Sequence, residues 1–207
     1  MDGSRCLWIH NLKRLTSALF AIPMVMCALV SCSQKPYSGA ITITPSPTFK
    51  ENTALLPTVQ LDVVGVTAIE LQRWKVYPVS DYWKVGNTFR KSAPRQSFVM
   101  TTKEPGPFKL TQWSSERDTW KKTGVTSLVL IADLPGAWRE KPPKAKGPPP
   151  PGVNWYEPGD DPRRLIIPWT QEPYGLFTSQ VNISLLPNGM KLLTPVDMSK
   201  AVPAAGK

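Results

Sequence analysis

The alternation of apolar and polar residues predicts where this chain forms strands. Along residues 58–66, the apolar side chains of Val59, Leu61 and Val63 fall on one face and the polar ones on the other. A period of two is typical of a half-buried strand. We therefore predict that this run is the first core strand of the fold.

Three later stretches also read as strands. Residues 127–132 form a continuous apolar run of strand length, which predicts a central strand buried on both faces, and residues 163–169 resume strand character. Residues 180–185 alternate and lead through Asn188-Gly189 into the apolar run at 190–194. Asn-Gly between two such runs predicts a closing hairpin, with both residues at the centre of the turn.

Weaker patterns suggest further elements. Residues 41–44 alternate and predict an added edge strand. The β-prone runs at 97–102 and 108–113 flank a Pro-Gly pair, which predicts a hairpin, and residues 114–123 read as a polar link.

The connection from residue 67 to 90 breaks the strand pattern. Residues 68–74 and 79–83 each predict a short helical turn, with Ser80 or Asp81 as the N-cap of the second. The aromatic residues of this connection either plug one end of the fold or form a binding surface. They are Trp74, Tyr77, Tyr82 and Trp83.

About seven short strands without a long amphipathic helix predict an all-β fold, an antiparallel two-sheet β-sandwich with short helical turns in its first long connection. Prolines crowd the stretch from about 140 to 162, which predicts a long exposed loop because consecutive prolines cannot join a sheet interior. Trp155 and Tyr156 are expected to dock its far end.

The N-terminal segment has the layout of a cleaved secretory signal. Basic residues precede an apolar run from 15 to 30, and the small residue Ser31 stands before Cys32. The run, about 16 residues interrupted by Pro23, is shorter than the roughly 20 residues that span a bilayer. A secreted protein cut at a nearby small residue and a short signal anchor are the alternatives.

The sequence Leu29-Val30-Ser31-Cys32 resembles the lipobox of bacterial lipoproteins. That resemblance implies cleavage before Cys32, lipidation of its thiol and acylation of the new amine. Ser33 follows the cysteine, and by the same resemblance the absence of Asp there implies the outer membrane. We therefore predict a signal peptide at residues 1–31, a lipid-anchored tether at 32–56, a sandwich domain at 57–197 and a flexible tail at 198–207.

Composition limits the chemistry of the mature chain. The only histidine of the 207 residues, His10, lies in the signal, as do Cys6 and Cys27. The mature chain therefore lacks disulfides and cannot build a Ser-His-Asp, Cys-His or ordinary zinc site. We expect no enzyme, no cofactor and no small-molecule substrate, although a carboxylate-pair glycosidase remains an open alternative.

The chain is basic, with a formal net charge of +10 before signal removal. The positive charge suits anionic lipid headgroups, cell-wall carboxylates or an acidic partner, or it only solvates loops. Nucleic acid is excluded by the exported compartment.

Residues 56–193 resemble the outer-membrane lipoprotein of the type VI secretion system membrane complex. The resemblance is carried by residues 57–64, by Asp81-Tyr82-Trp83, by residues 128–132 leading into Ala137-Trp138-Arg139, and by the hairpin at Asn188-Gly189. It implies a transthyretin-like sandwich that docks onto the periplasmic domain of a large inner-membrane component. The proline-rich insertion and the aromatic first connection depart from the family pattern.

In that family, the connection between the first two strands contacts the inner-membrane component. Here the resemblance places this contact at about residues 67–81, and the candidate side chains are Ile69, Glu70, Leu71, Arg73 and Trp74. Alternatively, Trp74 is a core residue. A second functional hypothesis is a peptidoglycan- or carbohydrate-binding lipoprotein that stacks sugars on exposed aromatics such as Trp113, Trp120 and Trp155.

Overall fold

The computed structural model describes residues 35–51, 58–157, 159–175 and 178–200. The predicted signal peptide, the cleavage motif and Cys32 lie outside these residues, and so does most of the predicted C-terminal tail. Residues 198–200 of that tail form a 3-10 turn (Met198–Lys200).

Two four-stranded sheets dominate the described part of the chain. The first contains β1 (Ala40–Pro45), β4 (Phe108–Leu110), β9 (Gln180–Leu186) and β10 (Gly189–Leu192), in the order β10-β9-β1-β4. The pair β1–β9 is parallel, whereas the sequence predicted only antiparallel strands. The chain passes through the whole second sheet between these two strands, a crossover long enough to bring it back in the same direction.

The second sheet is antiparallel throughout. It contains β2 (Val59–Val66), β3 (Arg95–Met100), β5 (Ser127–Asp133) and β8 (Arg164–Pro168), in the order β3-β2-β5-β8. Three of these strands confirm the sequence prediction. The strand β5 lies between β2 and β8 and is buried on both faces, as its apolar run indicated.

Side chains from both sheets meet in one apolar core. Ile41 and Ile43 of the first sheet share a buried cluster with Leu61, Val63 and Leu130 of the second. Two sheets that bury one face each against the other form a sandwich.

The strand β1 is an interior strand, not the predicted edge strand, because β9 and β4 flank it. The ordered body begins even earlier. Pro36 forms a β-bridge with Thr170, and the amide of the buried Tyr37 donates to the carbonyl of Trp169 at 3.0 Å. The predicted tether to residue 56 is therefore too long, and the predicted sandwich start at residue 57 is too late.

The predicted hairpin of residues 97–102 and 108–113 is wrong. The strand β3 pairs with β2, and β4 pairs with β1 in the other sheet. Residues 101–107 thus pass from one sheet to the other, a distance of about 10 Å that a seven-residue connection spans easily.

The α-helices of the described residues lie in three connections between strands. After the short helix α1 (Thr48–Glu51), three helices separate β2 from β3: α2 (Ala68–Val76), α3 (Val79–Tyr82) and α4 (Thr88–Ser92). The first two confirm the predicted helical turns, but the N-cap of α3 is Pro78, not Ser80 or Asp81. The predicted polar link is a helix, α5 (Ser115–Lys122), which buries only Arg117 and Trp120 and so shows little apolar pattern.

The proline-rich stretch is partly ordered. A parallel ribbon of β6 (Ala137–Glu140) and β7 (Val153–Tyr156) closes the base of the predicted loop, which leaves residues 141–152 as its mostly exposed part. Trp155 and Tyr156 belong to β7, and both are half-buried.

The closing hairpin is confirmed with a different centre. Leu186 pairs with Gly189, so Pro187 and Asn188 occupy the turn. Gly189 has φ +149°, and a Cβ there would lie 2.8 Å from Cβ of Pro162. Glycine is needed at this position for close approach as well as for its backbone angle.

Candidate partner-binding segment

Residues 67–93, which we call the helical cover, lie on the outer face of the second sheet. Leu71 and Trp74 of α2 pack with Val64, Val129 and Ile131 in a second buried cluster. The aromatic residues of this connection therefore do not close one end of the fold, as one of the two predictions had it. They belong to a layer that covers one face of the second sheet. This layer explains why β2 is buried on both faces, where its alternation predicted a half-buried strand.

The ends of α2 follow from local chemistry. The Thr67 hydroxyl accepts a hydrogen bond from the amide of Glu70, and the Glu70 carboxylate accepts one from the amide of Thr67 at 3.0 Å. This capping box starts the helix at residue 68. The helix ends at Val76 because Tyr77, which precedes Pro78, is extended.

A buried carboxylate fastens the helical cover to the sheet. Asp62 of β2 is fully buried and accepts hydrogen bonds from the Tyr82 hydroxyl (2.9 Å), Arg90 Nε (2.8 Å) and the Ser97 hydroxyl (2.6 Å). Arg95 Nε lies 3.4 Å from the same carboxylate. Since a buried charge needs partners, this network joins α3, α4 and β3 to β2.

The electrostatics of this network indicate a fixed structural joint. Burial raises the pKa of Tyr82 far above its usual value, and the adjacent Asp62 carboxylate raises it further. Burial alone lowers the pKa of Arg90, but the hydrogen bond and charge of Asp62 outweigh it and raise that pKa. At neutral pH, Tyr82 therefore stays protonated and Arg90 stays charged, and both donate permanently.

Aromatic contacts stiffen the outer part of the helical cover. The ring centroid of Phe89 lies 4.3 Å from those of Trp74 and Tyr77, and the Arg73 guanidinium lies 4.3 Å from the Phe89 centroid. These contacts join α2 to α4.

The structure separates the five candidate side chains into two groups. Leu71 and Trp74 are 8% and 4% exposed and face the sheet, whereas Ile69 is 92% exposed and Glu70 and Arg73 also face solvent. The alternative that Trp74 is a core residue is confirmed. Because Glu70 also serves the helix cap, the five do not form one surface.

The outer side of α2 carries a stripe that the sequence analysis only half found. Ile69, Arg73 and Val76 recur at i, i+4 and i+7, and Val76 is 76% exposed. We call these three residues the α2 stripe. Val76 was missed, although its seven-residue spacing from Ile69 could have revealed it.

The helical cover does not connect the first two strands, as the family resemblance implied for residues 67–81. It joins β2 to β3, because β1 precedes both strands. The connection between the first two strands covers residues 46–58, of which 52–57 lie outside the described ranges.

The base of the proline-rich loop abuts the helical cover. Arg163 forms a buried ion pair with Asp161 at 2.6 Å and donates to the Ser80 hydroxyl of α3 at 3.1 Å. Arg164 donates to the carbonyl of Tyr77 at 2.8 Å. A cavity of about 280 Å³ lies between the base of the loop and the helical cover. The cover contributes residues 75–79 to its lining, and the loop base contributes Glu140, Tyr156, Gly159, Asp161 and Arg164.

The aromatic residues suggested for sugar binding are not brought together as an exposed set. Trp113 is 83% exposed, but Trp120 is fully buried against Trp169 and Trp155 is half-buried in β7. Trp113 stands alone beside a groove of about 550 Å³.

Across the described ranges, no helix is both long and apolar enough to cross a bilayer. Within the same part of the chain, no three His, Cys, Asp or Glu side chains cluster in a way that could hold a metal ion.

The fold is thus a two-sheet sandwich with a helical layer fastened to one outer face. No family model matches the sequence, and no curated protein is similar to it. Its structure is similar to that of Serratia marcescens Lip, a membrane-bound component of the type VI secretion system, with a TM-score of 0.42 and 12% sequence identity over 78% of this chain and 99% of that one. It is also similar to the T6SS lipoprotein TssJ1 from Pseudomonas aeruginosa, with a TM-score of 0.35 and 10% identity over 78% of this chain and 98% of that one.

Proposed function

We propose that this protein is an outer-membrane lipoprotein and a docking component of a type VI secretion trans-envelope complex. In this role Cys32 carries the lipid, and the body captures the periplasmic domain of an inner-membrane component. The proposal is supported by the Leu29-Val30-Ser31-Cys32 motif and by the sequence resemblance over residues 56–193. The same resemblance implies that the sandwich is of the transthyretin-like type.

The α2 stripe is the proposed docking surface. The observation that carries this assignment is the 92% exposure of Ile69 on a helix whose opposite face is already packed by Leu71 and Trp74. An apolar side chain in that position contributes nothing to the core. Arg73, which lies between the two apolar residues, is of a type enriched at interface hot spots.

The fastening of α2 supports such a role. The Asp62 network and the Phe89 contacts hold the helix in place before any partner arrives. A surface that is already ordered loses less conformational entropy on binding, so more of its contact energy becomes affinity. We propose a structural function without catalysis, cofactor or small-molecule substrate, in keeping with a mature chain that has no histidine.

The lipid anchor is tested by metabolic labelling with a clickable palmitate in cells that express the wild type or Cys32→Ala. Label on the wild type alone, together with recovery of the wild type in the outer-membrane fraction, is expected. Equal labelling of both proteins would remove the anchor from the proposal.

The docking surface is tested by hydrogen exchange of the mature protein, with and without the purified periplasmic domain of the inner-membrane type VI component from the same genome. Three segments are candidate docking sites: the start of the helical cover at 67–77, the first inter-strand connection at 46–58 and the proline-rich loop at 141–152. We expect the partner to slow exchange at 67–77 most. Slowing confined to 46–58 or 141–152 would transfer the docking site there.

A further inference from the structure

The stretch of chain between the proposed lipid anchor at Cys32 and the described body is short. Pro36 already pairs with Thr170, and the amide of Tyr37 donates to the carbonyl of Trp169. Only three residues separate Cys32 from Pro36. At roughly 3.3–3.6 Å per residue, the chain from Cys32 to Pro36 can span at most about 14 Å. A body lipidated at Cys32 must therefore keep this end close to the bilayer.

We call this end the anchor end and define it by the groove of about 550 Å³ that opens there. The groove lies where β1 begins and where the chain leaves β4, next to Gln171, whose amide donates to the carbonyl of Lys35 at 3.0 Å. Its lining includes Ser38, Gln112, Trp113 and Gln171 and consists of small, polar and aromatic residues, none of them acidic.

Trp113 is the exposed aromatic residue of this lining, with 83% of its surface in solvent. An indole combines a large apolar ring with one N–H donor, and such side chains concentrate at membrane–water interfaces. This ring does not contribute to the core, because Trp113 is not part of the buried cluster that contains Trp120 and Trp169.

Two lysines, Lys35 and Lys121, lie at the same end of the body as the Trp113 indole. Lys121 of α5 and Trp113 line one small adjoining cavity together with Ser38, and Lys35 starts the described body at the same end. The ion pair of Lys121 with Asp118 is long, at 3.7 Å, and solvent-exposed, so Lys121 remains available to another anion. Lysines near a membrane surface are attracted to anionic headgroups.

The opposite end has a different character. It lies at Pro45, about 16 Å away along the six residues of β1, where the connection 101–107 exposes the charged residues Lys103 and Glu104. That end offers no aromatic side chain comparable to Trp113 among the described residues.

We propose that the anchor end rests on the bilayer, with Trp113 among the lipid headgroups and with Lys35 and Lys121 against their phosphates. This inference rests on the proposed lipid anchor at Cys32. The acyl chains supply the attachment, and Trp113 and the lysines set the orientation of the body. A body held in one orientation presents the α2 stripe at a constant height above the membrane.

The test uses the mature lipidated protein in vesicles of phosphatidylethanolamine with a minor fraction of phosphatidylglycerol. A nitroxide is placed at Gln112→Cys, which keeps Trp113 intact, and at Lys103→Cys as the matched control on the opposite end. The alkylated Cys32 does not react with the label. Collision rates with oxygen, which concentrates in lipid, and with a water-soluble nickel chelate then report the surroundings of each position.

We expect the nitroxide at position 112 to favour oxygen and the one at 103 to favour the nickel chelate. Adding Trp113→Ser to Gln112→Cys should return position 112 toward the aqueous value. Equal nickel access at both positions, in protein that floats with the vesicles, would leave the proposed anchor intact and overturn this inference. The same result is expected if the groove binds cell-wall glycan and not lipid headgroups. Protein that does not float would overturn the proposed anchor, and the inference with it.

Discussion

The helices α2 and α5 resemble each other in how they pack and differ in what they expose. Each follows a strand and buries one tryptophan, Trp74 in α2 and Trp120 in α5. The outer side of α5 carries charged and polar residues, whereas the outer side of α2 carries the apolar Ile69 and Val76.

This difference separates residues required by the fold from residues that the fold does not use. The exposed face of α5 is what a solvated surface helix normally shows. The α2 stripe departs from that pattern on a helix that is otherwise well capped and well packed. Foldability explains Leu71 and Trp74, but it does not explain Ile69 and Val76.

Loss of the buried tryptophans should have the largest effect on stability. Trp120 is fully buried, lies 5.6 Å from Trp169 in an edge-to-face contact, and donates from Nε1 to the carbonyl of Pro94 at 3.1 Å. We expect Trp120→Ala to lower the free energy of unfolding by about 4 kcal/mol and Trp74→Ala by about 3 kcal/mol. Denaturant unfolding followed by circular dichroism measures both, with the exposed Trp113→Ala as the control. Losses below about 1 kcal/mol would contradict the packing described for both helices.

Removal of the Asp62 charge should rank next. Asp62→Asn keeps the side-chain volume but leaves Arg90 and Arg95 without their carboxylate, so we expect a loss of about 3 kcal/mol. Hydrogen exchange should show the helical cover opening before the main core. The double variant Asp62→Asn with Arg90→Met should lose less than the sum of the single changes, since the two side chains interact. Strict additivity would mean that the joint is not a coupled network.

Polar substitution on the outer faces should have the smallest effect on stability. Ile69→Asp on α2 and Thr119→Asp on α5 each place a carboxylate on an exposed helix surface. We expect each to change the free energy of unfolding by no more than about 0.5 kcal/mol. In α2 the new charge lies in the first turn, where the helix dipole favours it. A large loss for Ile69→Asp alone would show that Ile69 serves the fold after all.

The local pattern of the sequence predicted β2, β5, β8 and the closing hairpin because their burial is set by neighbouring residues. It misplaced β1 and the hairpin of β3 and β4, because strand pairing depends on distant partners such as β9, more than a hundred residues from β1. Alternation alone placed Asp62 in solvent, since it cannot reveal that a helical layer covers the second face.

The candidate docking segment stays a prediction. The family resemblance pointed to about residues 67–81, but the sequence could not tell which side of α2 faces the sheet. The three-residue spacing of Leu71 and Trp74 identifies the side of α2 that faces the sheet only once it is known that β2 and β5 have an apolar outer face. Neither α5 nor the ribbon of β6 and β7 has enough buried positions to stand out in the sequence.

The proposed binding of the inner-membrane partner to the α2 stripe is tested most directly by affinity. Calorimetric titration of the mature wild type, Ile69→Asp and Thr119→Asp with the purified periplasmic domain would measure it, after each variant is shown to melt as the wild type does. We predict that Ile69→Asp weakens binding about thirtyfold, equivalent to about 2 kcal/mol, while Thr119→Asp binds as the wild type does. Unchanged affinity of Ile69→Asp for a partner that binds the wild type would contradict the claim.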